Sequence, residues 1–253
     1  MISITPLKTG TIYCDKGKTL TQGVDCGKMI YIPSISWLIK TPTEKILVDT
    51  GMPDTETSST NHYNGSYQLP GERIDEALKI NNIKPEEITT VIFTHLHWDH
   101  AQNGYLLPNA KFYIQKKELD FAKNPTGTYH RSYDHPCLGL TPSITQIQDR
   151  LIILDGDHNL TPEIRILLTP GHSPGHQIVV VQTASGPYVI AGDAILCYDN
   201  LLPSMSEDIV LPGRHKDSSE TKTVIEKIMT LAGVVHRILP GHDDRVFRKK
   251  EYN

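Results

Sequence analysis

Residues 90–103 read T-V-I-F-T-H-L-H-W-D-H-A-Q-N, an apolar run that leads directly into a cluster of metal-ligating side chains. The cluster has the spacing His95-x-His97-x-Asp99-His100. Imidazole nitrogens and carboxylate oxygens are ligands that zinc and similar divalent ions prefer. His95 and His97 can turn toward one ion, while Asp99 and His100 can turn toward a second. We therefore expect a strand that delivers the ligands of two metal ions onto the loop at its end.

Three later segments also place a polar residue that can bind metal at the end of an apolar strand. In each of them the residue follows a glycine. His172 follows Gly171, Asp193 follows Gly192, and His242 follows Gly241. Taken alone, a Gly-Asp or Gly-His pair after a strand is usually a turn. Together with the motif at 95–100, the recurrence predicts His172 on the first ion, His242 on the second and Asp193 as a bridge between them.

Two further polar residues near these motifs are expected to play supporting roles. Asp49 ends the apolar run Lys45–Val48, and we predict that it orients a ligating imidazole through the ring nitrogen that does not bind metal. His176 lies on an incoming strand, and we predict a structural role for it.

Composition narrows the class of protein. The 253 residues suit one domain over 1–253, and the net charge of −4 gives no basic surface for nucleic acid. No run of about 18 apolar residues predicts a membrane span, and the first residues do not resemble a secretory signal. The four cysteines have no CxxC spacing, so we expect reduced thiols and a cytoplasmic protein.

The order of predicted elements is strands and a helix in the first half, then strands and a helix in the second. Two sheets that pack on each other, with helices outside, would form an αββα sandwich, although periodicity alone does not select it over other α/β folds. Strands are predicted at 30–40, 45–48, 90–93, 111–115, 151–154, 163–169, 177–182, 187–191 and 234–239, and helices at 72–82, 116–122 and 219–231.

Two long turn-rich segments, 52–70 and 123–147, are predicted to be loops that select a substrate. Taken alone, each candidate residue in them is more often ordinary loop surface than a substrate contact. The candidates are Tyr63, Tyr67, Tyr129, His130, Tyr133 and His135.

Five motifs, in order, resemble those of the metallo-β-lactamase superfamily. The resemblance covers nearly the whole chain and implies the αββα fold, with two divalent metal ions at one edge of the sheets. Zinc is the default ion, and manganese, cobalt and iron also suit these ligands. The motifs are Asp49-Thr50-Gly51, His95-Leu96-His97-Trp98-Asp99-His100, Gly171-His172-Ser173-Pro174-Gly175-His176, Gly192-Asp193-Ala194 and Gly241-His242-Asp243.

Within that superfamily the chain resembles the N-acyl homoserine lactonases, as in Val48–Asp54 and His172–Gln177. The resemblance implies ring opening of a small lactone by a hydroxide that bridges two metals. Those lactonases carry a tyrosine three residues after the bridging aspartate, where this chain has Leu196. Tyr198 is then the candidate to contact the substrate carbonyl, and Asp99 is the candidate proton shuttle to the leaving group.

Other readings remain open at this stage. The same ligands suit hydrolysis of carboxylic esters, thioesters or phosphodiesters, and a metal-binding sensor or redox protein is a further alternative. Cys197 lies near the site but has no activating base beside it, so we expect an inert thiol. We expect a small-molecule substrate and a monomer or homodimer.

Overall fold

The computed structural model of the chain describes residues 1–203 and 209–253. Its first sheet has six strands in the order in which they occur along the chain. The pairs β1–β2 and β2–β3 are antiparallel, and the pairs from β3 to β6 are parallel. The strands are β1 Ser3–Asp15, β2 Met29–Lys40, β3 Lys45–Val48, β4 Ile88–Ile92, β5 Lys111–Gln115 and β6 Leu151–Leu154.

The second sheet has five strands in the order β11-β10-β9-β8-β7, with β10 and β11 parallel and the other pairs antiparallel. Since β9 is antiparallel to both neighbours, β8 runs in the same direction as β10. The carboxyl ends of β8, β10 and β11 therefore lie at one edge of this sheet. The strands are β7 His158–Asn159, β8 Ile164–Leu168, β9 Gln177–Thr183, β10 Gly186–Gly192 and β11 Ile238–Pro240.

Alternation along the strands separates the two faces of each sheet. In β3, Ile46 and Val48 pack between the sheets, whereas Leu47 faces outward. In β10, Ile190 packs between the sheets and Val189 faces outward. These two strands are thus apolar on both faces, as expected where a sheet is covered on both sides.

Helices cover the two outer faces. The core outside the first sheet includes residues of α3 and α4, and the core outside the second includes residues of α6. The layers are therefore helix, sheet, sheet and helix, which confirms the predicted αββα sandwich. The helices are α1 Lys16–Thr19, α2 Thr55–Asn61, α3 Ile74–Ile80, α4 Lys116–Lys123, α5 Tyr129–Ser132 and α6 Ser218–Ala232.

Several predicted elements need correction. Strand β1 was not predicted, because Pro6 and Gly10 interrupt its apolar pattern. Both are tolerated, since β1 is the edge strand and its register shifts between Lys8 and Gly10. The segment 52–70 contains α2 and the segment 123–147 contains α5, so neither is a plain loop. The strand predicted at 234–239 is a 3₁₀ turn followed by the short β11.

Across residues 1–203 and 209–253, no helix combines the length and the apolar composition needed to cross a bilayer.

Candidate metal centre

All seven predicted ligands come together where strand ends of the two sheets meet. Parallel pairing of β3 with β4 places Asp49 beside the loop that carries His95 to His100. The loops after β8, β10 and β11 bring His172, Asp193 and His242 from the second sheet. Residues far apart in the chain therefore meet because their strands end at one edge.

The first group of ligand atoms belongs to His95, His97, His172 and Asp193, and these atoms lie within 4.8 Å of one another. The Nε2 atom of His172 is 3.1 Å from Nδ1 of His97. The Nε2 atom of His95 is 3.8 Å from Oδ2 of Asp193. Three imidazoles and a carboxylate thus surround one small space.

The second group consists of Asp99, His100 and His242. The Nε2 atoms of the two imidazoles are 3.2 Å apart. The Oδ2 atom of Asp99 lies 3.6 Å from Nε2 of His242 and 3.8 Å from Nε2 of His100.

Asp193 joins the two groups through its two oxygens. Its Oδ1 atom lies 3.1 Å from Nε2 of His100 and 3.2 Å from Nε2 of His242. Its Oδ2 atom lies 3.4 Å from Nε2 of His172 in the first group. A Cβ atom on Gly241 would come within 2.6 Å of Oδ1, so only a residue without a side chain fits beside this buried oxygen. The carboxylate of Asp193 therefore lies between the two groups of ligand atoms.

Partners on the far side of the rings fix their orientation, as is usual for ligating histidines. Asp49 lies 2.8 Å from Nδ1 of His100, and its other oxygen accepts the backbone N–H of Thr94 at 2.7 Å. The Nδ1 atoms of His172 and His242 lie 2.9 Å and 2.7 Å from the carbonyl oxygens of Arg214 and Pro33. In each case Nε2 is left to face the site.

Asp49 reaches this position from a left-handed backbone conformation, with φ of 62°. Aspartate is one of the few residues with a side chain that adopt this region readily. The backbone conformation of Asp49 thus places its carboxylate against the His100 ring, in agreement with the orienting role predicted for it.

His176 supports the site without belonging to either ligand group. Its Nε2 atom accepts the backbone N–H of Asp193 at 3.1 Å, and its Nδ1 atom is 3.0 Å from the hydroxyl of Thr169. Burial lowers the pKa of His176 to about 3, so the ring stays neutral and can accept this bond. Its structural role is to hold the backbone of the bridging aspartate.

The electrostatics of the cluster favour a bound cation. Burial lowers the pKa values of His95 and His97 well below the usual range, which leaves them in the neutral form that binds metal. Burial also opposes charge on His100, but the carboxylates of Asp193, Asp99 and Asp49 outweigh it and raise the pKa of His100 well above its ordinary value. The same carboxylates would attract a divalent ion, which would replace the proton on His100.

The donor set itself fits two divalent ions. It offers five imidazoles and two carboxylates, divided into two groups with Asp193 between them. In the part of the chain that the structure describes, Nε2 of His95 is buried and has no hydrogen-bond partner. A buried polar atom without a partner is costly, and a metal ion would satisfy it.

Glu118, which sequence reasoning missed, connects the two ligand-bearing loops. Its carboxylate is fully buried and accepts hydrogen bonds from the backbone N–H of Leu96 at 3.0 Å and the hydroxyl of Ser173 at 2.5 Å. The hydroxyl of Tyr133 at 2.8 Å and the N–H of Gly175 at 3.2 Å complete the set. Only the unusual position of a glutamate on the apolar side of α4 could have indicated this role.

A small cavity of about 40 Å³ opens onto the metal cluster, and a larger cavity of about 510 Å³ lies beside it. Of the candidate loop residues, Tyr63 lines both cavities and His130 lines the larger one. Tyr129 lines a further cavity that reaches His97 and His172. Tyr133 and His135 line a separate cavity, and Tyr67 packs against Tyr31.

The prediction of a catalytic role for Tyr198 is corrected. Its hydroxyl donates to the carbonyl oxygen of Ile238 at 3.0 Å, and its ring packs against the core between the sheets. Burial raises the pKa of Tyr198, so the hydroxyl stays protonated and keeps its hydrogen bond to Ile238 instead of pointing toward a substrate carbonyl. Leu196 lines the small cavity, so this position offers apolar surface and no hydroxyl. Burial raises the pKa of the Cys197 thiol to about 11, which agrees with an inert cysteine.

We expect Tyr198→Phe to retain the hydrolytic rate of the parent protein, because the lost hydroxyl serves only Ile238. Loss of this one hydrogen bond should lower the free energy of unfolding by about 1 kcal/mol. Urea unfolding and kcat/KM measured on the same preparations test both statements. A fall in kcat/KM of tenfold or more at unchanged stability would restore the catalytic assignment.

The comparisons with known proteins agree with this geometry. Residues 32–242 match the model of the metallo-beta-lactamase superfamily. An N-acyl homoserine lactonase of Bacillus cereus is 32% identical in an alignment 230 residues long that covers 86% of this chain and 84% of that protein. The N-acyl homoserine lactonase AttM of Azorhizobium caulinodans is 28% identical over 94% of this chain and 91% of its own.

Solved structures support the fold. One is an N-acyl homoserine lactone hydrolase with the product N-hexanoyl-L-homoserine at its catalytic metal centre. It superposes with a TM-score of 0.77 at 23% identity and covers 97% of this chain and 95% of that chain. AidC, a dizinc quorum-quenching lactonase, superposes with a TM-score of 0.72 at 18% identity, over 96% and 88% of the two chains. With the family model and the lactonase relatives, these findings show that the chain belongs to the metallo-beta-lactamase superfamily, in the group of the N-acyl homoserine lactonases.

Proposed function

We propose that this protein is a two-metal hydrolase that opens the ring of N-acyl homoserine lactones. The observation that carries the proposal is the position of Asp193, whose two oxygens face two separate groups of ligand atoms. The lactonase relatives add support for the substrate, since the Bacillus cereus protein aligns with most of this chain.

We assign the first ion to His95, His97 and His172 and the second to Asp99, His100 and His242, with Asp193 shared. When bound, two divalent ions lower the pKa of a water molecule to near neutrality and polarise the carbonyl oxygen of the substrate. Zinc is the proposed ion, because this mixture of imidazole and carboxylate ligands suits it.

The chain's own residues hold the reacting groups and move the proton. Asp99 lines the small cavity, and its carboxylate lies at the edge of the second ligand group. It is therefore placed to take a proton and return it to the alkoxide that leaves when the ring opens. Tyr63 and Trp98 line the same cavity and would hold the lactone, since aromatic side chains exclude water and contact its ring.

Every proposed ligand comes from one chain, so we propose that residues 1–253 form one catalytic domain, active as a monomer or a homodimer. A cytoplasmic location is proposed because Cys26 and Cys137 are exposed and unpaired, as is usual where thiols stay reduced. We propose no nucleic-acid partner, in keeping with the net charge of −4.

The test is proton release when metal-loaded protein meets N-hexanoyl homoserine lactone near neutral pH. Ring opening produces a carboxylic acid, so release should follow hydrolysis and should be absent with Asp193→Ala. Protein with two bound ions that leaves the lactone intact would refute the proposal. Thioesters and phosphodiesters would then be assayed in the same way.

A further inference from the structure

The cavity of about 510 Å³ beside the metal cluster shares part of its wall with the small cavity over the ligands. Tyr63, Trp98, Ser132 and Arg214 line both. A substrate whose reacting carbonyl lies at the metal cluster would therefore extend the rest of its structure into the larger cavity.

The larger cavity has cationic and neutral walls. Arg131 and Arg214 line it together with His62 and His130, and no carboxylate is among its described lining residues.

Neither arginine has a carboxylate partner within the described ranges 1–203 and 209–253. The guanidinium of Arg131 donates to the carbonyl oxygen of Asn61, and that of Arg214 lies 6.0 Å from the ring centre of Tyr63. By contrast, His62 lies 3.0 Å from the carboxylate of Asp134. Both arginine charges are therefore available to a ligand in the cavity.

Guanidinium groups bind carboxylates with paired, charge-assisted hydrogen bonds, and they do so best where aromatic side chains limit access of water. Trp98 and Leu138 provide apolar surface for the methylene groups of an acyl chain. We propose that the preferred substrate is a lactone whose acyl chain carries a distal carboxylate, held in this cavity by Arg214 with Arg131. This inference rests on the proposed lactonase function.

The experiment compares two lactones of equal chain length, N-hexanoyl homoserine lactone and its 5-carboxypentanoyl analogue. With the zinc-loaded parent protein, kcat/KM should be about 10-fold higher for the carboxylate substrate, and the advantage should shrink as salt is added. Arg214→Gln should lower the ratio of the two kcat/KM values by up to about 10-fold, to a value near that of no preference, and Arg131→Gln should lower it by a smaller factor.

Arg165→Gln is the matched control, because Arg165 is exposed on β8 and lines none of the described cavities around the site. It should leave the ratio at the parent value. The inference is overturned if the parent protein prefers the neutral lactone. It is also overturned if both cavity variants leave the ratio unchanged. In either case the lactonase function stands. If protein with two bound ions hydrolyses neither lactone, both the function and the inference are refuted.

Discussion

Asp193→Ala should reduce kcat/KM for a lactone substrate on the order of 10³-fold or more and should lower the bound metal below two ions per chain. The carboxylate contacts both ligand groups, with Oδ1 near His100 and His242 and Oδ2 near His172. Its removal leaves Asp99 as the remaining carboxylate among the ligands, so the charge that balances two dications is halved.

Metal content by elemental analysis and kcat/KM on the same preparation test this prediction. Asp193→Asn is the matched variant, because it keeps the volume and one oxygen but removes the negative charge. We expect it to retain more metal than Asp193→Ala and to remain strongly impaired. The bridging assignment is contradicted if either variant binds two ions per chain and keeps the activity of the parent protein.

Glu118→Gln should weaken metal binding by the first group about 10-fold to 100-fold, although Glu118 touches no metal ligand atom. The carboxylate accepts four hydrogen bonds, from donors on the loop of His95 and His97, on the loop of His172 and on Tyr133. An amide nitrogen at one of the oxygens would face an N–H or O–H donor, so at least one bond would be lost. Loss of a buried bond of this kind also costs about 1 to 3 kcal/mol of stability.

The absence of a side chain at Gly175 shows how closely this region packs. A Cβ atom there would overlap the backbone nitrogen of Glu118, so helix α4 lies directly against the loop of His172. Replacement of Glu118 therefore cannot be absorbed by a small movement of α4. The two ligand-bearing loops should instead lose their common anchor.

Zinc titration at a temperature where both proteins are folded separates positioning from stability. Glu226→Gln on the exposed face of α6 is the control, and it should match the parent protein in both measurements. A Glu118→Gln variant that is less stable but binds two ions with parental affinity would mean that Glu118 serves the fold alone.

The sequence by itself determined the chemistry of the site and most of the strands. Strands β3, β5 and β6 have the predicted limits, because short apolar runs bounded by turn residues are local signals. The seven proposed ligands could be singled out because each lies on a loop that directly follows a strand, and strand ends at one sheet edge lie close together. Asp49 was assigned to an imidazole by the same logic, and it contacts His100.

The tertiary structure alone decided what depends on orientation and on distant partners. Tyr198 lies five residues after Asp193, but the turn at 198–201 directs its ring into the core between the sheets. In the sequence, Glu118 is one more charged residue of a predicted helix. Its role follows only from the packing of α4 against two loops, whose contacting residues lie 22 and 55 positions away in the chain. The edge strand β1 and the placement of Arg131 and Arg214 in the wall of the large cavity also depend on how distant segments pack. Local sequence specifies dihedral preferences and side-chain chemistry, whereas burial, hydrogen-bond partners and cavity walls arise only when separate segments pack together.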